Sequence, residues 1–206
     1  MDEEKKAIAE EITEENSLWQ LWRKSHKIKV SHFNRVLFWI LFFIMVYVLY
    51  FLGLDNNTIS SSLVHISEIG FTFSTIMLGF STAGFTVFSS FNNTDYLVDI
   101  AYYRHPDYNL SYLKVIVCSF MNTFVVLLVL LFLCFFVILY GSVNGIASNI
   151  NFFNNTIFVS IFLKSYFIIL FSFFLFSMLL VKSLIFNIYK TIMISVRYDF
   201  QKKYSE

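Results

Sequence analysis

The sequence predicts an all-α membrane protein with four transmembrane helices, cytoplasmic N and C termini, and amphipathic helices flanking the membrane domain. Three observations carry that expectation: composition, the placement of apolar stretches, and the one-sided distribution of charge. Of 206 residues, 57% are apolar and 20% aromatic, with 27 Phe, one Pro and only 14% charged residues. Soluble domains carry about a quarter charged residues. The charges avoid four stretches, at about 36–54, 66–91, 115–140 and 156–181, each long enough at about 1.5 Å per residue to cross a hydrocarbon core of about 30 Å. A β-barrel would need short segments alternating polar and apolar residues, whereas 115–140 is apolar on every side.

Charge sets the expected topology. The presumed outer loops, 55–65 and 141–155, contain no Lys or Arg, and 14 of the 15 basic residues fall on the other side of the four stretches. By the positive-inside rule both termini are cytoplasmic, in a multi-pass protein of the cell inner membrane. The exception, Lys164, lies within the fourth stretch.

Residues 1–35 read as a cytoplasmic amphipathic helix, acidic early (Glu3, Glu4, Glu10, Glu11, Glu14, Glu15) and basic late (Arg23, Lys24, Lys27, Lys29), in keeping with the helix macrodipole. Ile8, Ile12, Trp19 and Trp22 recur at roughly helical spacing. This is the pattern of a segment lying on an anionic leaflet; the acidic front is equally a docking surface for a cytosolic partner. The first 34 residues lack an early apolar core, so the first span is expected to act as an uncleaved anchor. The membrane domain is expected over 36–181. Within it, 92–114 is polar, rich in Tyr and carries Pro106, and reads as a short cytoplasmic elbow. Residues 182–206 keep Ile185, Ile188, Ile192 and Ile194 among Lys190, Arg197, Lys202 and Lys203 and form a basic helical tail.

The second span is unlike its neighbours. In 70–90, 12 of 21 residues are Gly, Ala, Ser or Thr, against 1 of 19 in the first span, 2 of 26 in the third and 5 of 26 in the fourth. Thr72, Thr75, Gly79, Thr82, Thr86 and Ser89 follow a 3, 4, 3, 4, 3 spacing that places them in one stripe. Ser67, Gly70, Ser74, Met77, Ser81 and Gly84 repeat that spacing two residues away, about 200° round the helix. Small residues on opposed faces allow close approach from both sides, which makes this the expected central helix. The first stripe is either a helix-packing surface, with hydroxyls bonded to their own backbone, or the lining of a narrow aqueous path.

Polar residues at membrane depth are few. Glu68 lies near the outer end of the second span, and Lys164 lies eight residues into the fourth, about 12 Å along the axis. Either they pair, or Lys164 snorkels to the interface. Asn122, two turns into the third span, is a candidate for an interhelical hydrogen bond with the level of Thr82, Thr86 and Ser89.

No catalytic, cofactor-binding or metal-binding residues are expected. The four His and two Cys form no ligand cluster, an Asp pair or a His-supported nucleophile is lacking, and the basic residues follow the membrane surface rather than a nucleic-acid patch. An enzyme is therefore not expected, nor direct nucleic-acid binding.

The layout resembles the small multi-span membrane proteins encoded beside bacterial anti-phage systems such as retrons, type VI-B CRISPR loci and Kiwa. The features that carry it are chain size, the charged start ending in Trp19 to Arg35, the span holding Gly79 and Gly84, and the short loop from Asn92 to Lys114. The resemblance implies a membrane effector or sensor controlled by a cytosolic nucleic-acid-binding partner. Two functional expectations follow. One is a homo-oligomeric effector of antiviral defence and abortive infection that perturbs membrane integrity or potential when a cytosolic partner protein triggers it. The other is a non-conducting binding protein, either a bacteriocin immunity protein or a scaffold.

Overall fold

A computed structural model describes residues 14, 17–25, 31–51, 55–91, 94–104, 110–141 and 156–204. Six helices make up nearly all of it: α1 (Leu18–Ser25), α2 (His32–Phe51), α3 (Asn56–Phe91), α4 (Thr94–Tyr102), α5 (Tyr112–Gly141) and α6 (Thr156–Tyr204). Among the described residues the only extended pairing is the bridge between Arg104 and Ser111. Four of the helices, α2, α3, α5 and α6, are long and apolar enough to cross a membrane.

Local chemistry explains where these helices start. Residues 55–65 are polar enough to suggest a loop, yet α3 already begins at Asn56. Asp55 caps it: its carboxylate accepts the Thr58 hydroxyl, and its carbonyl accepts the Ile59 N–H at 3.1 Å. The Thr58 hydrogen bond holds the Asp55 carboxyl below the usual carboxylate range. Ile59 and Leu63, one turn apart, are then buried at 1% and 6% exposure, and burial anchors a turn that polarity alone would leave in water. Ser111 caps α5 in the same way, its Oγ accepting the Lys114 N–H at 3.2 Å. The elbow contributes α4, and the Tyr112 N–H donates to the Tyr103 carbonyl at 3.0 Å.

At the far end, α6 runs unbroken for 49 residues, with no Gly or Pro to stop it. At about 1.5 Å per residue it is about 73 Å long, more than twice a bilayer core.

The chain divides into two compact units. One comprises 30–78 and 126–180, with a core of Leu49, Ile59, Leu63, Leu130, Cys134, Val137, Phe167 and Leu170. Polar bonds between helices supplement it: the Tyr166 hydroxyl donates to the Leu133 carbonyl at 3.0 Å, and Asn34 Nδ2 donates to the Leu179 carbonyl at 3.4 Å. In this unit α2 buries only Asn34 and Leu49, so its aromatic face, including Phe33, Trp39, Phe43 and Tyr47, points outward. That is the surface of a lipid-facing helix.

The other unit comprises the described residues within 1–29, 79–125 and 181–206. Phe120 packs against Phe85 and Phe88, with ring centroids 5.6 and 6.2 Å away. Asn187 Nδ2 donates to Ser119 Oγ at 3.2 Å. Lys114, only 5% exposed, forms an ion pair with Glu14 at 3.7 Å.

Candidate functional site

The two stripes on α3 differ in what they face. In the unit containing 30–78, Ser67, Gly70 and Ser74 are buried while Thr72 and Thr75 are exposed. In the unit containing 79–125, Ser81 is buried and Gly84 half-buried, while Gly79, Thr82 and Thr86 are exposed. The side chain of Ser89 lies outside the described residues. Each unit thus covers one small-residue face of α3 and leaves the other bare. Among the described residues, approach from both sides is not achieved.

The glycines record this division sharply. A Cβ at Gly70 would lie 2.7 Å from Cys134 Sγ, closer than real side chains come, so only glycine admits α5 at this distance. A Cβ at Gly84 would meet Ile188 Cδ1 at 3.2 Å, which is tight but yielding. At Gly79 a Cβ would meet nothing within 4 Å. Packing inside the chain therefore accounts for Gly70 and, in part, for Gly84. It gives no reason for glycine at Gly79.

Hydroxyls on both faces turn back to the helix. Ser67 and Ser74 donate to the carbonyls of Leu63 and Gly70 at 2.7 and 2.8 Å, and Thr75 and Thr86 donate to those of Phe71 and Thr82 at 2.9 and 3.0 Å. Such bonds satisfy the hydroxyl in an apolar setting without a partner helix. Ser81 differs: its Oγ is buried with no hydrogen-bond partner.

The remaining polar candidates do not converge. Glu68 is exposed, and the Lys164 ammonium lies 5.3 Å from the centroid of the Tyr50 ring. A cation over an aromatic face is favourable in a low-dielectric setting. Among the described residues no ion pair joins Lys164 to Glu68. Asn122 is half-buried on α5, and no hydrogen bond from its amide to Thr82 or Thr86 is present. Amide bonds between helices come instead from Asn34 and Asn187. Both lie just outside the spans expected from sequence, before 36 and after 181. The signal available was an Asn interrupting an apolar helical frame. The pairing of Lys114 with Glu14, 100 residues away in sequence, carries no local signature.

Among the described residues no three His, Cys, Asp or Glu side chains group as metal ligands. Cys118 and Cys134 are free and buried. Compared with protein-family models, curated proteins and solved structures, the chain matches none of them.

Proposed function

We propose that the chain is a bacterial inner-membrane effector or sensor of an anti-phage defence system. It works as a homo-oligomer whose bare α3 faces gather to form a leak that collapses the membrane potential when a cytosolic partner protein triggers it. Both termini lie in the cytoplasm in this reading, supported by the 14-to-0 bias of basic residues between the two sets of loops. The helix at Leu18–Ser25, with Arg23 exposed and Trp22 half-buried, serves as an amphipathic flank on that surface.

One observation carries the reading: Thr72, Thr75, Gly79, Thr82 and Thr86 are all exposed, and Gly79 has open space around it. In lipid, a small-residue face invites close approach by another helix, and a hydroxyl-lined one can replace part of a hydration shell. The test is membrane potential, followed with a voltage-sensitive dye in bacteria expressing the chain. Depolarisation that Gly79→Leu abolishes at equal membrane abundance is the expected result, because leucine has room in the single chain. Depolarisation unchanged by Gly79→Leu would remove α3 from the leak.

A second reading, a non-conducting binding protein, draws support from Thr75 and Thr86, whose hydroxyls are already bonded to their own backbone. It expects an undisturbed potential, with protection from a bacteriocin or recruitment of a cytosolic partner as its activity.

A further inference from the structure

In the unit containing 30–78 and 126–180, contacts between helices fix the depth of Glu68. The Asn34 amide on the Leu179 carbonyl, the Phe38 ring 6.0 Å from that of Phe176, and the Lys164 ammonium over Tyr50 set α2 and α6 antiparallel in one register. Phe174 packs against Phe73, with ring centroids 5.4 Å apart, and lies beside Gly70, so α3 runs in the same direction as α6. Glu68 is therefore level with the turn at Leu170 and Phe171 on α6 and with Phe43 on α2. Phe43 is midway between Arg35 and Phe51, about 12 Å from each. With 20 residues, α2 is about 30 Å long, one hydrocarbon core, which places Glu68 near its middle.

No neighbouring charge answers this carboxylate. Glu68 is exposed, and among the described residues it joins no ion pair or hydrogen bond. Lys164 lies about 10 Å along the axis from that level and is turned to Tyr50. A glutamate is too short to reach an interface at such a distance as lysine does. An ionisable group at this depth is unfavourable against lipid and marks an ion pathway. Glu68 also continues the exposed stripe of α3: Ser61, His65, Glu68, Thr72 and Thr75 follow a 4, 3, 4, 3 spacing and are all exposed. Ile69 and Ile76 form an apolar margin beside them, at 47% and 59% exposure. On α2, by contrast, the outward residues are Trp39, Phe43 and Tyr47, so one helix offers lipid an aromatic surface and the other carries a polar line. Thr75 bonds its own backbone, whereas the Thr72 hydroxyl, one turn from Glu68, makes no hydrogen bond among the described residues.

We infer that Glu68 is the ion-selecting residue of the leak, its carboxylate drawing small inorganic cations such as potassium along the stripe and turning anions away. A negative side chain on a narrow path raises the local concentration of cations and lowers that of anions. The Thr72 hydroxyl, next along the stripe, replaces part of the hydration shell that such a cation gives up. The inference rests on the leak reading above and adds the class of permeant ion, which a line of hydroxyls alone does not specify.

The test is current through planar bilayers of phosphatidylethanolamine and phosphatidylglycerol holding the full chain, with potassium chloride at unequal concentrations on the two sides. The reversal potential gives the permeability of potassium relative to chloride. A preference for potassium of about tenfold is expected for the unsubstituted chain, lost in Glu68→Gln and kept in Glu68→Asp, which retains the charge. A second readout needs no current. Thr72→Cys in native membranes is expected to react about tenfold faster with a cationic than with an anionic methanethiosulfonate, and adding Glu68→Gln to erase the difference; Cys118 and Cys134, both buried, keep the background low. A current that prefers chloride, or a preference for potassium that survives Glu68→Gln, would overturn the role of Glu68 while leaving the leak standing. Equal rates with the two reagents would overturn it as well, and a Thr72→Cys that neither reagent reaches would assign this face to lipid. An unsubstituted chain that carries no current would overturn the leak and the inference together.

Discussion

Gly70 and Gly79 lie nine residues apart on α3, half a turn out of phase, and they show two different uses of the same residue. At Gly70 the absence of a side chain is used inside the chain, where Cys134 Sγ lies too close to leave room for a Cβ. At Gly79 it has no beneficiary in the chain at all. The comparison teaches that a small residue in a membrane helix does not by itself identify a contact. What surrounds it decides whether the gap is filled by the same chain or left for something else.

Substitution at the two glycines is the strongest way to break that comparison. Gly70→Leu is expected to lower thermal stability in detergent by several kcal/mol, because overpacking costs about 1–3 kcal/mol even where neighbours yield and a branched side chain here meets Cys134 and Phe174. Gly79→Leu is expected to leave that stability unchanged or raise it by up to about 1 kcal/mol through helix propensity. Equal losses at both sites would mean that the outward face is covered within the chain. Adding Cys134→Ala to Gly70→Ala should recover stability relative to Gly70→Ala alone.

A smaller effect sharpens the picture at the other unit. Asn187→Leu removes the amide that donates to Ser119 Oγ and is expected to cost about 0.6–1 kcal/mol, the usual range for such bonds in membrane proteins. Asn122→Leu, lacking that bond, is expected to change stability by less, and thermal unfolding of the two variants side by side decides it. A larger loss at Asn122 would move the polar contact back to the position that sequence spacing favours.

The smallest effect concerns the start of α3. The folded carboxyl of Asp55 titrates below its ordinary value of 3.8 because the Thr58 hydroxyl bonds to its ionised form. Its contribution is therefore complete above that ordinary value and is lost as pH falls through the lower folded one. Protection from hydrogen exchange at Asn57 to Ser60, each rate referred to its intrinsic rate at the same pH, is expected to fall on acidification below pH 4, and Asp55→Asn should make that protection insensitive to pH over the same range. Protection that already varies between pH 5 and 7 would exclude Asp55 as the controlling group.

The two stripes of α3 were legible in the sequence because a helix of 3.6 residues per turn converts spacing directly into faces. Which stripe turns inward was not legible, since both consist of small residues and hydropathy barely separates Ser74 from Thr75. The choice comes from the bulk opposite, Cys134 and Phe174 at one level and Ile188 and Phe120 at the other. Four apolar helices could be read from composition, but not the extra turns at the start of α3. Residues 56–65 look like a loop until Ile59 and Leu63 are seen to be buried. The contact of Lys164 with Tyr50 was hidden for a related reason: searching for a charge of opposite sign overlooks the face of an aromatic ring.

The uninterrupted run of α6 also gives both compact units one element in common. With no Gly or Pro between Thr156 and Tyr204, the chain offers no cheap break where one unit's residues give way to the other's. A proline introduced near Leu180 or Val181 would therefore be felt in both.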